Sequence, residues 1–421
     1  MPIIGDFIKI KHGYAFKGDN ISTKDNGIVL VTPGNFEIGG GFKEQKCKFF
    51  EGEYPNEYVL ETDDLIVTMT DLSKNVDTLG YSALVPFSDK RIYLHNQRIG
   101  LVQFISDKID KHYLYWYMRT AKYQKTIVAT SSGSTVHHTS PDRICAVEID
   151  VPKFETQVEI AKLLDNIDSI IRINDEINRN LSEQAQAVFN SWFVKYEPFD
   201  EPMKETPTGF EAPESFEYVQ IDSLEHVLET GRRPKGGAVT EGIPSVGAES
   251  VKGIGTFNTS STKYIPVDFA AKQKTGKVNG YELMIYKDGG KPGEFHPNFS
   301  MFGEGYPFDE FFINEHVFKL DFGDRGYNEF AYFWFRTDYV MHWLESNGGK
   351  AAIPGINQTV VNSIWILSPD SPKVKEYCEW IQPLFTQILK NCYSNLRLAE
   401  LRDTLLPKLM SGELDVSDLN V

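Results

Sequence analysis

The sequence YLYWYMRT at residues 113–120 recurs as FAYFWFRT at residues 330–337, which is 217 positions later. Three further blocks repeat at an offset of 217 or 218 residues: 64–67 with 282–285, 95–99 with 313–317, and 147–152 with 364–369. A nearly constant offset across four separated blocks indicates an internal duplication. The chain is therefore predicted to contain two copies of one unit of about 217 residues.

Each copy divides into a mixed part and a helical part. The mixed part carries short β-branched and aromatic runs that end in turn-forming residues, as at residues 28–31 before Pro33. Such runs predict a strand-rich α/β globule, with one helix at each Arg-Thr block. With a long helix following each globule, the predicted fold class is α+β.

The long helices are predicted near residues 155–193 and 373–410, where seam residues recur at alternating spacings of four and three. This is the spacing of a coiled coil, and a buried asparagine at a seam fixes register and partner. An asparagine pair has the same register in both helices, so we predict antiparallel packing about a pseudo-twofold axis; two unrelated surface helices are the alternative. The predicted seam contains Ile160, Leu164, Ile167, Ile171, Asn174, Asn178, Leu181, Ile381, Leu384, Ile388, Asn391, Asn395, Leu398 and Leu405.

The repeat also sets the predicted domain boundaries. The globules are expected at 1–152 and 214–371, and the long helices at 153–196 and 372–412. Residues 197–213 are rich in Pro and Glu, which predicts an extended linker, and residues 413–421 form a tail.

The composition excludes several classes of protein. The 421 residues are 41% hydrophobic and 13% aromatic, which is enough apolar material to exclude a disordered chain. No apolar run is long enough for a membrane span, and the N-terminus does not resemble a signal peptide. Four scattered cysteines predict neither a disulfide framework nor a metal site. We therefore expect a cytoplasmic protein without a membrane partner.

The charge balance restricts how the chain could bind nucleic acid. The 43 Lys and Arg residues against 59 Asp and Glu give a net charge of −16, whereas DNA-binding domains are usually basic. Any DNA contact must therefore use a local stripe of Lys and Arg.

Two helix ends carry a resemblance to a known family. Residues 401–414 (LRDTLLPKLMSGEL) closely resemble the end of type I restriction–modification specificity subunits. Residues 185–194 (AQAVFNSWFV) are similar to the matching end of the family's first conserved helix. The alternation of two globules and two helices is also the family's architecture, so the resemblance covers essentially the whole chain.

The resemblance implies a DNA-reading subunit without catalysis of its own. Each globule would be a target-recognition domain that reads one half of a split target, while the helices set the unread spacer. The implied partners are double-stranded DNA, two methyltransferase subunits that dock on the helices, and restriction/translocase subunits that join this complex. No cofactor is expected. A non-catalytic coiled-coil adaptor with two ligand-binding domains fits the repeat equally well.

The loops between the predicted elements supply candidate DNA contacts. Hydroxyl, amide and basic side chains can contact phosphates or base edges, and Gly-rich loops let backbone amides approach phosphates. The candidates in the first copy are Thr70, Asp71, Ser73, Lys74, Asn96, Gln97, Arg98, Ser132, Ser134 and His137. Those in the second copy are Arg232, Arg233, Lys235, Lys287, Lys291 and Lys350. An alternative interpretation of the same segments is ordinary polar turns. In that interpretation, the asparagine at the equivalent positions 96 and 314 fixes a turn in both copies.

The sequence gives little support for an enzyme. Pro141 and Asp142 with Glu148 superficially resemble a nuclease site, but Asp150 occupies the position of the required lysine. There is no Asn/Asp-Pro-Pro-Tyr/Phe methylation motif and no GxxxxGK[ST] nucleotide loop. Catalytic and metal-binding residues are therefore not predicted.

Overall fold

The computed structural model describes residues 1–73, 75–259, 262–290, 294–349 and 354–418. It divides into two compact units. The first unit combines Met1–Ser169 with Leu398–Val421, and the second consists of Ile170–Arg397. The division falls inside both long helices, Phe154–Phe193 and Pro372–Ser411, so each unit contains a segment of each helix.

The first unit is built on two main sheets. One is an antiparallel sheet with the strand order Ile8–His12, Ile99–Phe104, Leu65–Thr68, Ser82–Leu84. The other has the order Ile21–Ser22, Lys48–Phe50, Ile28–Val31, Ile92–His95, Val59–Leu60, and its central pair is parallel. A short pair joins Thr70–Asp71 to His137–His138.

The repeated aromatic block forms the core of the first unit. Three helices, Lys111–Tyr117, Ala121–Ala129 and Pro141–Cys145, begin at the side-chain caps Asp110, Thr120 and Ser140. Trp116 is fully buried, and Arg119 stacks over its ring at 4.2 Å while donating to Asp168 at 2.9 Å. The block therefore anchors the globule to the adjoining segment of the first long helix.

The second unit repeats this arrangement. Its main sheet has the order Val227–Thr230, Val317–Asp321, Leu283–Tyr286, Phe299–Met301, Gly253–Ile254. Smaller sheets pair Lys263–Ile265, Ile243–Val246 and Phe312–Ile313, and also Tyr218–Gln220 with Trp365–Leu367. The short helices are Val267–Ala270, Arg325–Trp334, Asp338–Gly348 and Gln358–Asn362.

The antiparallel sheet of the first unit matches the main sheet of the second unit in register. Its four strands also follow the same order as the first four strands given for the second sheet. Leu101 lies opposite Ile66 in the first unit, and Lys319 lies opposite Met284 in the second, with each residue displaced by 218 positions. Because a one-residue slip would turn every side chain to the other face, matching register means matching cores. The predicted duplication is confirmed.

The long helices pack antiparallel within each unit, as predicted. In the second unit, the Asn174 amide donates to Asn395 at 2.8 Å and Asn391 donates to Asn178 at 2.8 Å. In the first unit, Arg402 donates to Asp168 at 2.6 Å, and Leu409 shares a core with Ile160. Residue numbers thus rise along one helix as they fall along the other, and every predicted seam residue is buried or half-buried.

The segment between the globules differs from the extended linker that its composition predicts. Met203–Glu205 and Glu211–Pro213 form a hairpin, whose turn bonds Thr206 to Phe210 and places Gly209 at a φ of 81°. Ala212 is fully buried in the core of the second unit, so the second strand of the hairpin holds the segment in place, whereas the first strand is exposed. Nowhere in the described ranges is a helix both long and apolar enough to span a membrane.

Candidate nucleic-acid interface

Three loops that are separate in the sequence meet at one edge of the first unit. Thr70 pairs with His138, and Asp71 with His137, which joins the loop after residue 69 to the loop at 130–138. The Met69 amide donates to the carbonyl oxygen of Arg98 at 2.9 Å, which adds the third loop. The structure therefore brings together the candidates at 70–73, 96–98 and 132–137.

Residues 96–98 form a tight turn that presents two exposed side chains. Asn96 is 8% exposed, and its side-chain oxygen accepts from the Arg98 amide at 3.1 Å. Gln97 and Arg98 are exposed, and neither side chain has an ion pair or hydrogen bond within the described residues. Asn96 therefore fixes the turn, and the next two side chains are available to a ligand.

The first two candidates in this unit are buried rather than exposed. The Asp71 carboxylate accepts from the Ser73 amide at 2.6 Å and from the Thr78 amide and hydroxyl at 2.6 and 2.7 Å. Burial acts to raise the pKa of Asp71, but hydrogen bonds from Thr78 and Ser73 outweigh it and lower the pKa. The Thr70 hydroxyl lies 3.1 Å from Nδ1 of His138. In this conformation Thr70 and Asp71 hold the loop together and do not reach solvent, and Ser73 donates to Asp77.

The loop at 130–138 adds a basic residue that the sequence did not indicate. Ser132 and Ser134 are exposed and His137 is half-buried. Ser132 and His138 exchange backbone hydrogen bonds at 3.0 and 2.8 Å. The guanidinium of Arg143 donates to the Ser132 hydroxyl at 3.2 Å. No local sequence pattern predicts this contact, because the tertiary fold brings Arg143 next to Ser132.

The second unit contains the same turn at residues 314–316. The Asn314 side-chain oxygen accepts from the His316 amide at 2.9 Å, and the Lys287 amide donates to the His316 carbonyl at 3.1 Å. The next contact also repeats, because the Ile356 amide donates to Lys287 at 2.7 Å where Thr139 donates to Met69 at 3.0 Å. We call residues 96–98 and 314–316 the two pinned turns.

A basic loop lies beside the second pinned turn. Arg232, Arg233 and Lys235 are exposed, and Arg233 lies 3.8 Å from Glu315. Arg232 and Lys235 have no ion pair within the described ranges. The loop begins at Gly231, where a Cβ would lie 1.6 Å from the Ile313 carbonyl oxygen, so only glycine fits there. The basic loop therefore starts at a close backbone contact with the residue just before the second pinned turn.

Lys287 differs from these exposed cations. Its ammonium group pairs with Asp288 and lies 5.6 Å from the centre of the Phe318 ring, and its side chain is only 19% exposed. Asp288 also contacts His316, so Lys287 belongs to a local ion-pair network. The remaining candidates, Lys74, Lys291 and Lys350, lie outside the described residues.

The residues that resemble a nuclease site have structural roles. Pro141 and Asp142 lie in the first turn of the short helix Pro141–Cys145. The Glu148 backbone bridges to Ile3 and accepts from the Tyr117 hydroxyl at 2.8 Å. The segment therefore closes the globule.

Comparison with known proteins gives a consistent result for sequence and fold. A family model described as the type I restriction modification DNA specificity domain matches residues 3–183. The specificity subunit of the type I restriction enzyme MjaIX from Methanocaldococcus jannaschii is 26% identical over 325 residues, covering 74% of this chain and 71% of that protein. The HindI specificity subunit from Haemophilus influenzae is 22% identical over 356 residues, covering 70% and 75%.

A solved structure shares the fold over nearly the full length. The type I restriction–modification S subunit from M. genitalium superposes with a TM-score of 0.55 at 15% identity, covering 97% of this chain and 95% of that one. The duplicated globules, the antiparallel helix pairs and the matched relatives agree with the resemblance found at the two helix ends. The chain is therefore similar, in sequence and in fold, to type I restriction–modification specificity subunits.

Proposed function

We propose that this chain is the DNA-recognition subunit of a type I restriction–modification complex. Each unit reads one half of a bipartite target, and the long helices set the unread spacer between the halves. Two methyltransferase subunits dock on the helices, and restriction subunits join the resulting complex. Action on DNA within this complex implies a cytoplasmic location.

The observation that carries the proposal is the repetition of one pinned turn with different side chains. Gln97 and Arg98 occupy the first turn, whereas Glu315 and His316 occupy the second. Sequence readout depends on the pattern of donors and acceptors presented to base edges. A shared scaffold with different donor and acceptor patterns is what a reader of two unlike half-sites requires.

The charge distribution fits a subunit that binds DNA together with partners. The chain is acidic overall, but exposed cations lie beside both pinned turns, Arg98 at the first and Arg232, Arg233 and Lys235 at the second. Phosphate contact releases counterions and makes binding depend on salt. Local cations can position the DNA while partner subunits supply further phosphate contacts.

The chain is a non-catalytic subunit, and methylation and cleavage belong to its partners. The adaptor alternative is not favoured, since the matched relatives are specificity subunits. The two functions make opposite predictions about DNA, because an adaptor without a DNA role has no reason to bind a duplex with strong salt dependence.

The test uses the purified full chain and fluorescent duplex DNA. We expect the logarithm of the association constant to fall linearly with the logarithm of salt concentration, and we expect neither methylation nor cleavage when methyl donor and Mg²⁺ are added. Adding the methyltransferase subunit should produce methylation at a split target. Methylation by the chain alone would contradict the proposal, and so would the absence of duplex binding both alone and in the assembled complex.

A further inference from the structure

The two pinned turns are equivalent in backbone position as well as in shape. The strand that follows each turn pairs in the same register, with Ile99 opposite Thr68 and Val317 opposite Tyr286. Each turn is closed by a further bond, from the Ile99 amide to Asn96 at 2.9 Å and from the Val317 amide to Asn314 at 3.4 Å. The side chain after each asparagine therefore starts from the same place in its unit.

A glycine packs closely against the backbone at each turn. A Cβ at Gly13 would lie 2.1 Å from the Asn96 carbonyl oxygen, and a Cβ at the equivalent Gly231 would lie 1.6 Å from the carbonyl oxygen of Ile313, just before the second turn, and 3.0 Å from the carbonyl carbon of Asn314. The Gln97 amide also donates to the Tyr14 carbonyl at 2.9 Å. In the second turn the Asn314 amide donates to the Val246 carbonyl at 2.9 Å. Backbone hydrogen bonds therefore hold both turns, and their side chains distinguish them.

The side chains that follow the asparagines, Gln97 and Glu315, differ in their hydrogen-bonding groups. The Gln97 amide both donates and accepts, which matches the N6 amine and N7 of adenine. The Glu315 carboxylate only accepts, which matches the N4 amine of cytosine. Gln97 and Glu315 are nearly the same size, so these two side chains differ in the amide donor and in charge rather than in shape.

The surroundings leave both groups able to bind. Gln97 is exposed and has no side-chain partner within the described residues. Glu315 is half-buried, 3.8 Å from the Arg233 guanidinium and 3.5 Å from Nε2 of His316. A carboxylate has about four acceptor positions. Both contacts involve Oε1 of Glu315, so its other oxygen keeps acceptor capacity for a base.

We propose that the residue after the pinned asparagine selects one base in each half-site, with Gln97 selecting adenine and Glu315 selecting cytosine. This inference rests on the proposed function, because it requires each unit to face one half-site. It predicts that the base preferences of the two turns can be exchanged by replacing the Gln97 amide with a carboxylate and the Glu315 carboxylate with an amide.

The experiment exchanges the two side chains in the full chain assembled with its methyltransferase subunit. Wild type, Glu315→Gln and Gln97→Glu are each used to select duplexes from a pool with randomised positions, and the bound duplexes are sequenced. Glu315→Gln should shift one position of the second unit's half-site from cytosine to adenine. Gln97→Glu should shift one position of the other half-site from adenine to cytosine. Each shift should be about tenfold, the size expected for one base contact.

Two control variants carry the same chemical changes at exposed positions away from the turns. Glu217→Gln and Gln45→Glu should leave both half-sites unchanged. If wild type selects no split site, the proposed function fails. If wild type selects a split site, three results would overturn the inference. Both exchange variants could select that same site, or both could change the preference in both halves. Both could also lose DNA binding while their melting temperatures stay at the wild-type value. Should Glu315→Gln fail to fold, Gln97→Glu still decides the question, because its side chain has no internal partner to lose.

Discussion

Asp165, on the first long helix, accepts two hydrogen bonds from the short helix Lys111–Tyr117. One oxygen accepts from Nε1 of Trp116 at 2.7 Å, and the other lies 2.7 Å from Nδ1 of His112. The hydrogen bond to Asp165 raises the pKa of His112, and nearby Asp63 acts in the same direction, although burial and Lys111 oppose them. A titratable ion pair therefore helps to attach the first globule to its helix segment.

Replacing His112 with Gln should remove a pH-dependent part of the stability. Because the folded-state pKa is raised, the stabilisation is fully present below the unfolded pKa of about 6.5 and is lost as pH rises through the folded value. The side chain is 33% exposed, so we expect a loss of about 0.5–1 kcal/mol at pH 5.5 that disappears by pH 9. Urea unfolding at both pH values measures it, with His12→Gln, an exposed histidine, as the control. An equal loss at both pH values would show that the charge is not responsible.

The asparagine pairs determine how the helix segments of the second unit fit together. Asn391 is 6% exposed, and its amide donates to Asn178 at 2.8 Å. The first unit uses different chemistry, since Asp168 accepts from Arg402 where the corresponding residues of the second unit are Phe385 and Ala185, both fully buried. The seam is therefore polar near its asparagines and differs between its two ends.

A double-mutant cycle tests the Asn178–Asn391 pair. Asn391→Leu alone should lower the free energy of unfolding by about 1–3 kcal/mol, because it leaves the side-chain oxygen of Asn178 without its donor. Combining it with Asn178→Leu should recover most of that loss, since apolar packing replaces the pair. Urea unfolding of the two single variants and the double variant provides the measurement. Additive losses would mean that the two side chains do not interact.

The sequence predicted the elements better than it predicted the exposed side chains. Repeats and heptad spacing are periodic along the chain, so the strands, the long helices and the Asn174 and Asn391 positions could be read from it. Whether Asp71 faces solvent depends on the Thr78 and Ser73 donors, which no spacing reports. The hairpin at 203–213 was also missed, because Pro and Glu describe a linker equally well and the burial of Ala212 is a tertiary effect.

At the scale of the whole molecule, the two units should act as independent readers. Replacing Arg232 and Arg233 with Ala should weaken binding and lower the salt slope by about one for each lost phosphate contact. It should leave the base preference of the first unit's half-site unchanged. Replacing Gln97 and Arg98 with Ala should instead alter that preference by about 1–3 kcal/mol per lost base contact. Methylation by the assembled complex on DNA with single-base changes in each half measures both effects. Equal changes of preference in both halves for the Arg232/Arg233 variant would contradict independence.

The first unit is assembled from both ends of the chain, and this has a consequence for biosynthesis. Its core buries Ile160 and Leu164 with Leu406 and Leu409, yet the 228 residues of Ile170–Arg397 are made in between. At roughly 5–20 residues per second, the ribosome adds that insert in about 10–45 s. During this time the apolar surface of the first globule has no cover from its own chain. The second unit, although later in the sequence, is therefore the first that translation completes, and a ribosome that stalls just after Arg397 yields a protein whose defect lies in the unit begun first.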